Sequence, residues 1–509
     1  MCHCRWDNRR TIHDLPPDDT ASRARKELGW KPKFTELRNR EDRLREKETP
    51  PNMRGVAQAR RYIGELVRVL LGKERQGTLK AYMVRGTVGT FALKVVSTLL
   101  AFGTSLLLAR LLGAKEYGVY AYAISWAQLL AVPAVMGLNT LLVREVAKYK
   151  ALEDWGSLRG IVRWSDRIVS LTSIGIAAVF SLIVWFLQGK FSPEVRTALW
   201  IAMGLVPLLS FLLLRQGGLQ GLGYVVEAQV PQLFLLPATF LVLTVGVYFA
   251  FGLSGAVAVG LRLIAGLVAA IAAVFLLRKN LPEPVTDVPP LYRRREWLRS
   301  ALPLLFVGAA GIINQRISTV MVGAMLGPEA VGIFDVALKG ATLVSFALMA
   351  VNMPLAPAVA ELYAKGEKER LQRLVTKSTR VAFLGSLPVA LVMILFGREV
   401  LSIFGKDFTG GSSVLAILSA GQLINVAMGS VALLLNMTGY EEDTAKGIGI
   451  AALANVVLNA ALIPLLGING AAAANAISMA TWNILLAWWV YKKIGICSTA
   501  LGSLWRGMA

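Results

Sequence analysis

Charge, cysteine and histidine are all scarce in this chain, and each shortage excludes something. Only 17% of its 509 residues are charged, against 55% that are hydrophobic, which is too little polar surface for a soluble protein of this length. Both histidines, His3 and His13, precede the first long apolar run, so the apolar remainder offers no Ser, His and Asp constellation for acyl transfer. It also lacks a Walker loop and any clustered set of metal ligands. Cys2, Cys4 and Cys497 are too scattered to staple a fold, and the "CHC" run at 2–4 with His13 matches no zinc spacing. No catalytic residue, cofactor or metal is expected, and the predicted inter-span loops are too short for a catalytic domain. The chain reads as a non-enzyme.

What the sequence has in abundance is long apolar text. Windows such as 169–187 carry no charge, and about 20 apolar residues cross the hydrocarbon when helical, with every backbone group bonded within the segment. Hydropathy predicts twelve spans, near 86–108, 118–138, 168–187, 196–214, 231–251, 254–277, 301–325, 330–352, 380–396, 412–435, 446–465 and 470–491. The formal net charge is +22, and the basic residues sit in the N-terminal tail and in alternate loops. Those after spans 2, 6 and 8 include Arg144, Lys148, Arg159, Arg278, Lys279, Arg293, Lys365, Arg370 and Arg373. Alternation of this kind sets membrane orientation, with basic loops inside, and does not indicate nucleic acid. A multi-pass protein of the cytoplasmic membrane with both termini cytoplasmic is expected.

The chain repeats itself. "LLGAKEYGVYAYA" (111–123) is echoed by "MLGPEAVGIFDVA" (325–337), "LRGIVRWSDR" (158–167) by "LQRLVTKSTR" (371–380), and "GLSGAVA" (252–258) by "GINGAAA" (467–473), at offsets of 214, 213 and 215. An even number of spans per copy puts both copies in the same orientation. The expected fold class is an all-α polytopic membrane protein whose twelve helices form two parallel six-helix lobes around a central cavity. The lobes cover 84–280 and 301–495, joined by a basic cytoplasmic linker at 281–300 and followed by a short tail at 496–509. Residues 1–83 form a basic cytoplasmic extension, partly disordered. In it, Ile63, Val67 and Leu70 share a face of an interfacial amphipathic helix near 56–72, with Arg60, Arg61 and Arg68 available to headgroups. "ASRARKELGWKPKFTEL" (21–37) resembles the C-terminal tail of nucleotide-sugar epimerases and dehydratases, but the dinucleotide-binding domain such tails follow is absent, so no epimerase activity is implied.

A cation near the bilayer centre costs about 3 kcal/mol or more, so such residues face a cavity or a partner. Arg316 stands mid-span in "GAAGIINQRISTVMVGAMLG" (308–327), Lys94 lies in span 1, Arg262 in span 6, and Asp335 and Lys339 one turn apart in span 8. Asp335 and Lys339 suit mutual pairing. Arg316, Lys94, Arg262 and Lys339 are the candidate anion-binding cations, with Asn314, Gln315 and Asp335 as polar support. A buried Arg316 satisfied by backbone carbonyls or by Asp335 is the plainer alternative.

The stretch "SLLLARLLGAKEYGVYAYAISWAQLLAVPAVMGLNTLLVREVAKY" (105–149) resembles the polysaccharide transporter family. This family contains the O-antigen and repeat-unit flippases, in the superfamily that also holds multidrug antiporters and the peptidoglycan lipid flippase. The resemblance implies alternating access and a polyprenyl-diphosphate oligosaccharide as substrate. It also implies membrane lipids as surroundings, with a proton or sodium coupling ion and polysaccharide polymerases as open expectations. A cation-coupled multidrug antiporter of the same fold is the nearest rival, and a membrane glycosyltransferase or polymerase the next. An antiporter calls for an unpaired intramembrane acid, and Asp335 has a lysine beside it.

Overall fold

The computed structural model describes residues 79–502; the predicted interfacial helix, the epimerase-like tail and the CHC run lie outside them. The described helices are α1 (Leu79–Val135), α2 (Leu138–Ala151), α3 (Trp155–Phe186), α4 (Pro193–Met203), α5 (Leu205–Gly221), α6 (Val225–Val230), α7 (Leu236–Phe251), α8 (Gly255–Asn280) and α9 (Pro284–Asp287). They continue as α10 (Arg294–Leu326), α11 (Pro328–Thr342), α12 (Phe346–Ala364), α13 (Lys368–Leu395), α14 (Gly397–Ser402), α15 (Ser412–Met428), α16 (Val431–Met437), α17 (Glu441–Leu466) and α18 (Ile468–Ile494). No strand occurs among the described residues.

Among these residues ten helical stretches are long and apolar enough to cross a membrane. The difference from the expected twelve has two sources. The first stretch, Leu93–Val135, covers both predicted spans 1 and 2. Its helix is broken at Gly113, whose φ of 70° and ψ of 176° are not helical. The other is α18, whose Asn, Ser and Thr residues dilute its hydropathy, so it is not among the ten.

Local chemistry fixes the helix starts. Ser192 accepts from the Val195 amide with Pro193 following, Ser254 accepts from the Val257 amide, and Asp154 accepts from the Ser157 amide at 3.0 Å. Each satisfies a donor that a helix N-terminus leaves open. Glu116 adds a longer-range cap, its carboxylate accepting from the Gly255 amide at 2.7 Å and so tying α8 to α1.

The internal repeat reappears as a crossing. Gly113 and Gly327, equivalent at offset 214, both take positive φ (70° and 92°) and turn the chain into α1's second part and α11. Five residues on, Gly118 and Gly332 sit where these helices cross. A Cβ on Gly118 would overlap the carbonyl oxygen of Pro328, and one on Gly332 would overlap that of Ala114, the residue equivalent to Pro328. The crossing is therefore two-fold in character, and only glycine lets the backbones approach this closely.

The buried side chains show where the two halves join. One large cluster is shared between them, with Tyr117, Val119 and Phe240 from the first half and Phe334, Phe404 and Phe408 from the second. At the end carrying the basic loops there are two separate clusters instead. One holds Leu138, Leu158 and Trp297, and the other Leu355, Val375 and Leu486. The halves are thus welded at the end away from the basic loops. At the basic end the start of α10 packs on the first half, where Trp297 Nε1 donates to Tyr149 Oη at 3.0 Å.

Candidate functional site

Beside the glycine crossing, four charged or polar side chains from three helices converge. Lys339 Nζ lies 2.8 Å from Asp335 Oδ2 and donates to Tyr117 Oη at 2.6 Å. Tyr117 Oη in turn donates to the same Oδ2 at 2.9 Å. The second carboxylate oxygen, Oδ1, faces Arg316 Nη1 at 3.9 Å, too far for a hydrogen bond. Asp335 is sealed, its side chain 3% exposed, whereas those of Arg316 and Lys339 are 26% and 33% exposed. Two cations therefore share one carboxylate, leaving the group net positive, with both cations only partly covered. Arg316 Nε is buried without a hydrogen-bond partner, and the guanidinium donates no bond to any described residue.

A third cation lies nearby, in the first half. Arg262 stands 5.1 Å from the ring centre of Phe240, which stacks on Tyr120 at 5.7 Å with the planes 8° apart, and Tyr120 adjoins Tyr117 at 6.2 Å. No carboxylate among the described residues lies within ion-pair distance of Arg262. At 1.5 Å per residue, Arg316 is about 15 Å from the end of α10, and Arg262 and Asp335 are each about 10 Å from the starts of α8 and α11. All three occupy the half of the bundle away from the basic loops.

The remaining sequence-predicted residues lie apart from this group. Lys94 is exposed on α1 with no ion-pair partner among the described residues. Gln315 is exposed. Asn314 donates to Ile448 O of α17 at 3.2 Å and heads a polar ladder between α10 and α17. In that ladder Ser318 donates to Asn455 Oδ1, Asn455 donates to Asn314 O, and Asn459 donates to Ser318 Oγ at 3.1 Å. The ladder holds α10 in rotation, so Arg316, two positions from Asn314, is presented on a different face.

Sequence reasoning missed Tyr117, the hydroxyl that links Lys339 to Asp335, because its partner lies 218 residues away. It also missed Asn455 and Asn459, although two asparagines four apart within an apolar run are a signal for helix-to-helix bonding.

These features define a class: a multi-pass α-helical membrane protein with a positively charged polar group where its two halves meet. Solved structures share the fold. An inward-facing multidrug resistance MATE family transporter of the MOP superfamily superposes with a TM-score of 0.64 at 15% identity, covering 80% of this chain and 98% of its own. The lipid II flippase MurJ in an inward closed conformation gives 0.63 at 14% identity, covering 80% and 87%. The chain belongs to the polysaccharide biosynthesis protein family, whose sequence model matches residues 83–363, and the MatE family model matches residues 303–465. Among curated relatives, a probable low-salt glycan biosynthesis flippase of Haloferax volcanii is 24% identical over 434 residues, covering 82% of this chain and 87% of the relative. A capsular polysaccharide biosynthesis protein of Staphylococcus aureus is 25% identical over 195 residues, covering 38% and 49%.

Proposed function

We propose that this protein flips a polyprenyl-diphosphate oligosaccharide across the cytoplasmic membrane for cell-surface polysaccharide assembly, performing no catalytic step. The observation that carries the reading is the guanidinium of Arg316, which has no hydrogen bond among the described residues and lies beside a carboxylate already held by Lys339 and Tyr117. A sugar head is too polar for hydrocarbon and needs a wet path, while its diphosphate needs fixed positive charge. Arginine suits the second task, because its planar fork binds phosphate oxygens in pairs and stays protonated. The prenyl tail stays in lipid. The Haloferax volcanii relative, aligned over most of its length, is described as a glycan flippase and supports the same substrate class.

In this reading the break at Gly113 divides the first apolar stretch into two spans, and α18, 27 residues and about 40 Å long, supplies the last, making twelve. Residues 84–280 and 301–495 act as two lobes that rock against each other, so that the end held by the Gly118 and Gly332 crossing closes and opens in turn. Basic loops face the cytoplasm, as do both termini. A proton or sodium gradient, or consumption of the flipped product by polymerases, drives the cycle.

The test is translocation of a fluorescent lipid-diphosphate oligosaccharide in proteoliposomes, comparing the wild type with Arg316→Ala and Arg316→Lys. Losing a charged hydrogen-bond donor to phosphate is worth about 1.5–3 kcal/mol, so Arg316→Ala is expected to slow flipping by about tenfold to a hundredfold, with Arg316→Lys intermediate. Equal rates in all three remove Arg316 from the mechanism. Drug efflux that survives Lys339→Ala and is abolished by Asp335→Asn would turn the assignment to the cation antiporter.

A further inference from the structure

A second site lies on the outer face of the second half, at the basic end and away from the Arg316 group. Between α13, the end of α15 and the segment after α18 there is a cavity of about 490 Å³. Phe383 and Leu384 form one wall, Ala427 and Met428 another, and Thr499 to Leu501 the third. The third wall is fixed in place. The Ala500 amide donates to Ala427 O at 2.9 Å, Thr379 Oγ1 donates to Ser498 O at 3.0 Å, and Gln372 bonds both the carbonyl and the amide of Cys497 at 2.8 Å. The groove is therefore preformed.

Two polar features interrupt its apolar lining. Arg380 stands at the rim, exposed, using only Nε for the protein, in a bond to Ala500 O at 3.0 Å. Its two terminal nitrogens make no bond to any described residue, and no acidic residue is among the described residues that line the groove. Thr499 Oγ1 is buried without a hydrogen-bond partner. Lys377, one turn nearer the basic end, is also exposed and adds to the field. An apolar slot, an unused guanidinium fork and an unsatisfied hydroxyl at the level where apolar α13 gives way to its basic start match one chemistry: an anionic headgroup above an acyl chain. A zwitterionic lipid would bring a second cation to the same rim.

We propose that this groove is a binding site for one anionic phospholipid, with its phosphate on Arg380, its polar linkage near Thr499 and one acyl chain between Phe383, Leu384 and Leu501. The site does not depend on the transport reading.

The experiment is native mass spectrometry in detergent of the full chain, and in parallel of the chain without residues 503–509, titrated separately with phosphatidylglycerol, phosphatidylcholine of the same acyl chains and a polyprenyl phosphate. The wild type is expected to retain one phosphatidylglycerol with a preference of about fivefold to tenfold over phosphatidylcholine. Arg380→Gln is expected to abolish that preference and Lys377→Gln to reduce it only slightly. Leu501→Trp, which leaves Arg380 in place but fills the slot, is expected to lower retention of both lipids, and it carries the test if Arg380→Gln fails to fold. The proposal is overturned by equal retention of the two lipids, by unchanged preference in Arg380→Gln, or by retention of a polyprenyl phosphate ahead of phosphatidylglycerol. Binding seen only after deletion of residues 503–509 would also overturn it, since the groove would then belong to the chain's own tail.

Discussion

Replacing Gly118 with alanine tests whether the glycine crossing holds the two halves together. The new Cβ would fall far inside van der Waals distance of the Pro328 carbonyl oxygen and also near the Gly332 amide, both of them backbone atoms that no rotamer change can clear. The helices must separate by about 1 Å or more, and overpacking on that scale costs about 1–3 kcal/mol. If the crossing forms only when the end away from the basic loops is closed, the whole cost falls on that conformer. The equilibrium then shifts toward the open conformer by about fivefold to a hundredfold. Spin labels at Gly189 and Lys406, both exposed and remote from the basic end, in a background with Cys2 and Cys4 changed to serine, would report the shift by electron paramagnetic resonance as a longer distance population. Gly332→Ala should act alike, because its Cβ meets the equivalent carbonyl of Ala114. Gly103→Ala is the control, since a Cβ there meets nothing within 4 Å and alanine favours the helix by up to about 1 kcal/mol. Unchanged distances and melting in both Gly118→Ala and Gly332→Ala would refute the reasoning.

Asp335→Ala should destabilise the protein by about 3–5 kcal/mol, because Lys339 and Arg316 lose their common counter-charge; melting within about 1 kcal/mol of wild type contradicts the described pairing. Asn455→Ala breaks the ladder between α10 and α17 and should cost about 1 kcal/mol, read as a lower melting temperature, while Lys94→Ala, with no ion-pair partner to lose among the described residues, should leave it unchanged. At the start of α3, burial tends to raise the Asp154 carboxyl, but the bonds from Ser157 and the charges of Arg293 and Lys148 outweigh it and hold the group below its ordinary value. A depressed folded-state pKa adds stability above the unfolded value of about 3.9 and loses it as pH falls through the lower folded value. Asp154→Ala should therefore cost about 1 kcal/mol near neutral pH and progressively less under acid conditions; a cost that is flat from neutrality to strong acid would count against the capping role.

Much of the architecture was legible along the chain, because lipid imposes a one-dimensional rule: a segment either is apolar for the length of the hydrocarbon or it is not. The repeat at 111–123 and 325–337 could be read the same way, and its glycines at 113, 118, 327 and 332 proved to be the turns and crossing points of the two copies. The pairing of Asp335 with Lys339 followed from helical spacing alone. Hydropathy alone is weakest at α18, where Asn469 and Ser478, which bond neighbouring helices, read like polar loop text.

That this chain crosses the membrane many times, carries its basic residues in alternate loops and keeps a few cations within its apolar helices can be read from the amino acids in order. These are properties of single segments in contact with a medium, so composition and period suffice to reveal them. It takes the folded molecule to show that Tyr117 meets Asp335 across 218 positions, that Arg316 shares a carboxylate without bonding to it, and that Lys94 has no ion-pair partner among the described residues. Those depend on how helices from distant parts of the chain rotate and cross, which is set by glycine contacts and polar ladders between them and by no local pattern.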